Sequence, residues 1–214
     1  MTERQPPPRD LIVLTADKNT QFAIEGILSR YASLGIRPVD CVDGDYVVHS
    51  DRDPGVLRDA AEILRRRTGA YGHALVVMDR EGSGRESEPR ESIEETIESK
   101  LRAGGWDGRA GAVVIDPELE AWVWCDSPYV EEILGWRGRK PNLTDWLAQK
   151  GFAVPPSRKP SPPKDAFEAA LREAKRPRSS ALYRELAEKV GLKRCGDPAF
   201  LKLRGLLQKW FPAS

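Results

Sequence analysis

Long apolar runs are missing from these 214 residues, so no helix is expected to span a bilayer. The opening MTERQPPPRD has no apolar segment resembling a signal peptide, and the expectation is a disordered lead-in over residues 1–9 of a cytoplasmic chain. Cysteine is scarce. Cys41, Cys125 and Cys195 are far apart and outside any CxxC pair, which argues against a disulfide framework and against a zinc site. Histidine is scarcer still: with only His49 and His73 and no GxSxG elbow, a serine or cysteine triad has little to draw on. The glycines of REGSGRES lack the GK[ST] of a phosphate-binding loop and read as a flexible turn.

Charge is abundant and unevenly divided. Met1 to Trp136 carries 16 Lys+Arg against 26 Asp+Glu, a balance of −10, whereas Arg137 to Ser214 carries 18 against 7, a balance of +11. A basic segment joined to an acidic one can pair with its own partner half, with a nucleic acid or with an acidic protein.

In the first half, short apolar runs alternate with amphipathic stretches. Asp10 to Thr15, the PVDCV and YVVH stretches, HALVVM and Ala110 to Ile115 read as strands. Thr20 to Leu34, the segment DPGVLRDAAEILRRRTG and Arg90 to Ala103 read as helices. Gly69 is a plausible helix stop. That order predicts an α/β fold with a parallel four-stranded sheet over residues 10–136, helices on both faces and right-handed crossovers. Ligands collect beyond the carboxyl ends of such strands.

Acidic residues follow all four strands: Asp17 after the first, Asp51 and Asp53 after the second, Asp79 and Glu81 after the third, Asp116, Glu118 and Glu120 after the fourth. Crowded carboxylates raise one another's pKa unless a cation neutralises them, and Mg²⁺ favours such oxygen-rich sites. Two of these acids have local explanations, Asp51 in an Asx-type turn before Pro54 and Asp53 as a helix N-cap. His73, which opens a strand, reads as a satisfied structural histidine.

An acid after the first strand, Asp-x-Glu after the third and the later PELEAW stretch together resemble the Toprim-like fold. More narrowly, they resemble the Toprim-like proteins of bacterial defence islands, including components of methylation-associated defence systems. The resemblance covers roughly Asp10 to Trp124, with a weaker echo in RCGDPAFLKLRGLL. It implies Mg²⁺ (or Mn²⁺) held by Asp79, Glu81, Glu118 and Glu120, with Asp17, Asp79, Glu81 and Glu120 as catalytic positions for phosphoryl transfer on DNA or RNA. One position departs from the family: the glutamate expected directly after the first strand is replaced by Asp17, with Lys18 beside it. A non-catalytic subunit that docks on a partner protein or binds nucleotide is the alternative.

Residues 137–214 read as a basic helical extension. Helices are expected in PNLTDWLAQKG, capped near Asn142 or Thr144, in KDAFEAALREAKR and in SSALYRELAEKVGL. A last one is expected in DPAFLKLRGLLQKW, capped by Asp197, with Pro198 in its first turn and Phe200, Leu203, Leu207 and Trp210 facing inward. The intervening VPPSRKPSPPKD reads as a stiff extended connection. Trp122, Trp124 and Trp136 read as core or as an interface with this half. Arg172, Lys175, Arg176 and Arg178, with Lys18, are the candidate phosphate-gripping cations.

Overall fold

The computed structural model describes residues 7–124, 127–153, 159–191 and 195–213. Four parallel strands, β1 (Arg9–Thr15), β2 (Tyr46–Val48), β3 (Tyr71–Asp79) and β4 (Ala110–Ile115), form one sheet in the order β2-β1-β3-β4. Helices α1 (Lys18–Leu28) and α2 (Tyr31–Leu34) follow β1, α3 (Arg52–Arg65) follows β2, and α4 (Arg90–Leu101) follows β3. After β4 come α5 (Glu120–Val123), α6 (Pro128–Ile133), α7 (Leu143–Gln149), α8 (Pro163–Glu173), α9 (Ser180–Lys189) and α10 (Pro198–Trp210). The expected α/β sheet with helices on both faces is present.

Strand alternation builds two cores. Leu11, Val13, Leu75, Val77, Val113 and Ile115 point to one face, while Ile12, Leu14, Val76, Met78, Ala112 and Val114 point to the other, because successive side chains on a strand leave opposite sides. The second face is covered by α3 and α4 through Val56, Ala60, Leu64, Ile93 and Ile97. The first is covered by α1 together with the helices of the basic half: Phe167, Leu186, Phe200, Leu203 and Trp210 share one core with the sheet. Burying an aliphatic or aromatic side chain of this kind stabilises by roughly 1.5–3 kcal/mol, so the basic half is integral to the sheet's packing. Gly26 allows α1 and α9 to approach closely, since a Cβ there would lie 2.7 Å from the Arg184 carbonyl and 2.8 Å from the Ala187 side chain.

The caps expected in the second half form. Asn142 accepts from Asp145 N–H at 2.8 Å, and Asp197 accepts from Ala199 and Phe200 N–H at 3.0 and 3.2 Å. Trp124 and Trp136 are buried, and the Trp122 indole N–H donates to Asp197 at 2.9 Å. Much of the proline-rich connection, residues 154–158, lies outside the described residues, as do Cys125 and the first six residues of the expected lead-in.

Three boundaries differ from expectation. Arg9 belongs to β1, paired with Tyr71, because its guanidinium meets the fully buried Asp45 at 2.6 Å. The helix expected from Thr20 to Leu34 breaks between α1 and α2, where Arg30 turns its guanidinium to the carbonyls of Ala187 and Val190 at the end of α9. PVDCV forms no strand: the N–H of Asp40 is taken by Asp10 at 2.8 Å and that of Val42 by Asp45 at 2.8 Å, so side chains occupy donors a ladder would need. No helix of the described residues is long and apolar enough to cross a membrane.

Candidate functional site

The carboxyl ends of the strands meet at Asp79, the last residue of β3. Its Oδ1 is buried and has no hydrogen-bond partner among the described residues. Burial pushes this carboxyl well above the usual aspartate range, and the nearby carboxylates of Asp53, Glu120 and Asp17 push it further, against the backbone N–H of Leu119. Desolvation and like charge thus act in the same direction.

Each neighbour is placed by local chemistry. Asp17 caps α1, its Oδ1 accepting the N–H of Thr20 at 2.8 Å. Asp53 does not cap α3. It sits in the first turn, behind Asp51, and its Oδ1 accepts the backbone N–H of Asp79 at 2.8 Å. Its pKa is raised by burial, with that hydrogen bond opposing and Asp17 adding. The cap reading fails because the strand end competes for the same oxygen, so Asp53 is a member of the site that local sequence reasoning passed over. The available signal was its position, in the first turn of the helix that leaves the carboxyl end of β2.

The two glutamates after β4 have turned to the basic half. Glu120, 2% exposed, accepts from Arg178 Nη2 at 2.9 Å and from the Tyr183 hydroxyl. Arg178 also donates to the Tyr183 oxygen at 2.8 Å and to Glu168 at 2.7 Å. Glu118, 6% exposed, accepts the N–H of Lys164 at 3.1 Å and lies 3.6 Å from its ammonium. Its pKa is raised by burial and by Glu120, with Lys164 opposing. Tyr183 is a site residue that no local motif announced.

Glu81 is exposed. In an extended strand, residues i and i+2 share a face, but the strand ends at Asp79. The N–H groups of Arg80 and Glu81 then both donate to the same neighbour, to Ile115 at the end of β4 at 2.8 Å and to Pro117 just beyond it at 2.9 Å, which alternation would forbid. Asp116 pairs with Arg80 at 3.0 Å. Among the described residues no group of three or more His, Cys, Asp or Glu side chains is arranged to hold a metal. Asp79, Glu81, Glu118 and Glu120 are therefore not gathered as one ligand shell.

The expected phosphate-gripping cations also divide. Arg176 pairs with Glu185 at 3.2 Å and Arg178 with Glu120 and Glu168, so both are engaged internally. Arg172 and Lys175 face solvent. Lys18 is exposed and donates to Gln21 at 3.0 Å, and does not reach the carboxylates as a substitute cation. His49 is held by Asp59, 3.3 Å from Nε2, and by the Asp51 N–H, 3.0 Å from Nδ1. No protein-family model matches this chain, and no curated protein or solved structure matches it either.

Proposed function

We propose that the chain is a Toprim-like, divalent-cation-dependent phosphodiesterase acting on nucleic acid, working in the cytoplasm as part of a bacterial defence system. The observation that carries this reading is the unpartnered, buried Oδ1 of Asp79 at the carboxyl end of a parallel sheet, with Asp53 and Asp17 beside it. The donor chemistry fits Mg²⁺ or Mn²⁺ in a restricted sense. Mg²⁺ commonly binds through one or two carboxylates and completes its shell with water and substrate phosphate, so a three-carboxylate cage is not required. Asp79 would hold the ion, with Asp53 the next oxygen donor. When bound, such an ion neutralises negative charge that develops during phosphoryl transfer. The chain's own part is to keep this corner dry, through Leu119 and the packed strand ends, and to hold Arg178 where a phosphate could draw it from Glu120. The defence setting rests on the resemblance of the DRE and PELEAW stretches alone.

A second reading, a non-catalytic subunit that docks on a partner protein or binds nucleotide, is favoured by one specific observation. Arg178 and Lys164 already supply Glu120 and Glu118 with counter-charge.

Purified protein assayed on DNA and RNA, single- and double-stranded, with Mg²⁺ or Mn²⁺ separates the two. Cleavage that disappears in Asp79→Asn, with fold and nucleic-acid affinity kept, is the expected result, because loss of a transition-state contact lowers turnover more than binding. Wild-type protein inactive on every substrate with both metals, or Asp79→Asn as active as wild type, would turn the reading to the docking subunit. Thermal melts add an independent arm: at about ten times its Kd a cation should stabilise wild type by roughly 1.4 kcal/mol and leave Asp79→Asn unmoved.

A further inference from the structure

Among the cations of the basic half, two groups stand out. The first reaches across to the acidic half: Lys164 to Glu118, Arg178 to Glu120 at 2.9 Å, Arg184 to Glu25 at 3.3 Å, and Lys202 to Glu94 and Glu98 at 3.1 and 2.8 Å. These pairs absorb part of the charge division between the halves. In the second group Arg139, Lys140, Lys150 and Lys175 are exposed and have no carboxylate within ion-pair distance among the described residues. Arg172 stands with them, its side chain 72% exposed and only loosely paired to Glu168 at 3.8 Å.

This second group is gathered in one place by the fold. Arg139 donates to the Glu173 carbonyl at 3.3 Å, which sets the α6–α7 loop on the end of α8. Lys150, at the end of α7, and Arg172, on α8, line one open groove with Trp146, Phe152, Ala169 and Glu173. Lys175 follows α8 directly. Two of the charges are held over rings, the Arg139 guanidinium 5.2 Å from the centre of Trp136 and the Lys150 ammonium 5.6 Å from that of Trp146. Cations fixed in this way lose less freedom on binding an anion than free side chains do.

The geometry points to this corner as a binding face for the phosphate backbone of a nucleic-acid strand, separate from the carboxylate edge and feeding it. The inference rests on the reading above that nucleic acid is the substrate, and adds the surface that would hold it. A strand is favoured over other anions by continuity. Arg178, which bonds Glu120 beside Asp79, stands only three positions beyond Lys175, a step that spans at most about 10 Å. A polyanion with regularly spaced charges can follow that path from the groove to the site. A bilayer would also seek exposed apolar anchors, and the exposed large hydrophobic side chains, Tyr31, Val42, Tyr129 and Leu201, are not among the residues of this group.

The test is fluorescence anisotropy of labelled single-stranded DNA, single-stranded RNA and duplex DNA with the full chain in EDTA, over a salt series. Lys140→Gln/Lys150→Gln/Lys175→Asn should weaken binding at least tenfold at low salt and flatten the plot of log affinity against log salt by about 2, at roughly 0.7 per single-strand phosphate contact. Lys140→Glu/Lys175→Glu is the second variant, with the melting temperature checking that each is folded. Three outcomes overturn the inference: no oligonucleotide bound at low salt, variants that bind as wild type does, or retention on phosphatidylserine vesicles with every oligonucleotide ignored. Variants that bind normally while wild type cleaves and Asp79→Asn does not would sink this face and leave the proposed function standing. Affinity lost in the variants from a wild-type chain that cleaves nothing would do the reverse.

Discussion

Helix α4 and strand β3 both bury carboxylates, and the fold treats them in opposite ways. Glu94, 2% exposed, accepts from Val114 N–H at 2.9 Å, from Arg90 at 2.9 Å and from Lys202 at 3.1 Å. Its neighbour Glu98 accepts from Ala112 N–H at 3.0 Å and from Lys202 at 2.8 Å. Together they cover the outward amides of β4, an edge strand that would otherwise offer itself to another chain. Asp79 is half-buried, yet its Oδ1 is shut off from solvent and has no donor among the described residues. A buried charge is tolerated when its lone pairs are met by donors and is costly when they are not. The saturated carboxylates belong to the architecture, whereas the unsaturated one lies where parallel sheets gather ligands.

Breaking the saturated end should give the largest effect. Glu94→Ala leaves the Val114 amide without its acceptor and takes one buried partner from each of Lys202 and Arg90, which keep Glu98 and Glu91, and should destabilise the fold by about 3 kcal/mol, a fall in Tm of roughly 6–12 °C for a chain of this size. Glu94→Gln should recover part of it, because the amide oxygen can still accept from Val114. A Tm for Glu94→Ala within a degree of wild type would mean that the β4 edge is held by something else.

The same chemistry at Asp79 should have the opposite sign. Its native pKa lies above the ordinary aspartate value of 3.8, so the unfolded chain releases this proton more readily. The stability it contributes is full below the unfolded value and is lost as pH rises through the native one. Without metal, Asp79→Asn should therefore be more stable than wild type near neutral pH, by about 1–3 kcal/mol, and the advantage should shrink as pH falls toward about 4. Urea melts across that range check it. A variant less stable than wild type at pH 7 would show that the carboxylate has a partner after all.

The smallest effect concerns the other end of β3. His73 Nδ1 is also buried without a partner among the described residues, and the ring stacks on Trp210 at 4.8 Å and meets Phe211 edge-on at 5.3 Å. Burial lowers its pKa below 6.5, against a hydrogen bond with the Arg109 backbone, with the Arg109 and Arg37 charges adding and Asp10 opposing. A depressed native value gives stability that is present above the unfolded pKa and lost as pH falls through the native one. Wild type should weaken on acidification from about pH 6.5 downward, and His73→Phe should remove that limb, a difference of under about 1 kcal/mol. Identical pH profiles for the two proteins would exclude His73 from the acid response.

Much of the fold was legible because it depends on neighbours in the chain. Apolar runs such as DLIVLT and HALVVM became central strands, and Asn142 and Asp197 capped the helices that follow them. Where side chains from elsewhere intervened, local reading failed. PVDCV lost its ladder donors to Asp10 and Asp45, and Asp53 gave its oxygen to Asp79 instead of to its own helix.

The acidic edge itself was readable as a set of positions, since acids after successive parallel strands must come to one side of the sheet. What the sequence could not show is which of them would find partners. That depended on α8 and α9 packing against the same sheet face as α1, which carries Lys164, Arg178 and Tyr183 to Glu118 and Glu120 across 46, 58 and 63 residues of chain. Periodicity and capping act over a few residues and can be read from the chain in order. Neutralisation of a buried charge depends on distance in space, and only the folded arrangement set those distances, leaving Asp79 with a buried oxygen that no donor among the described residues meets.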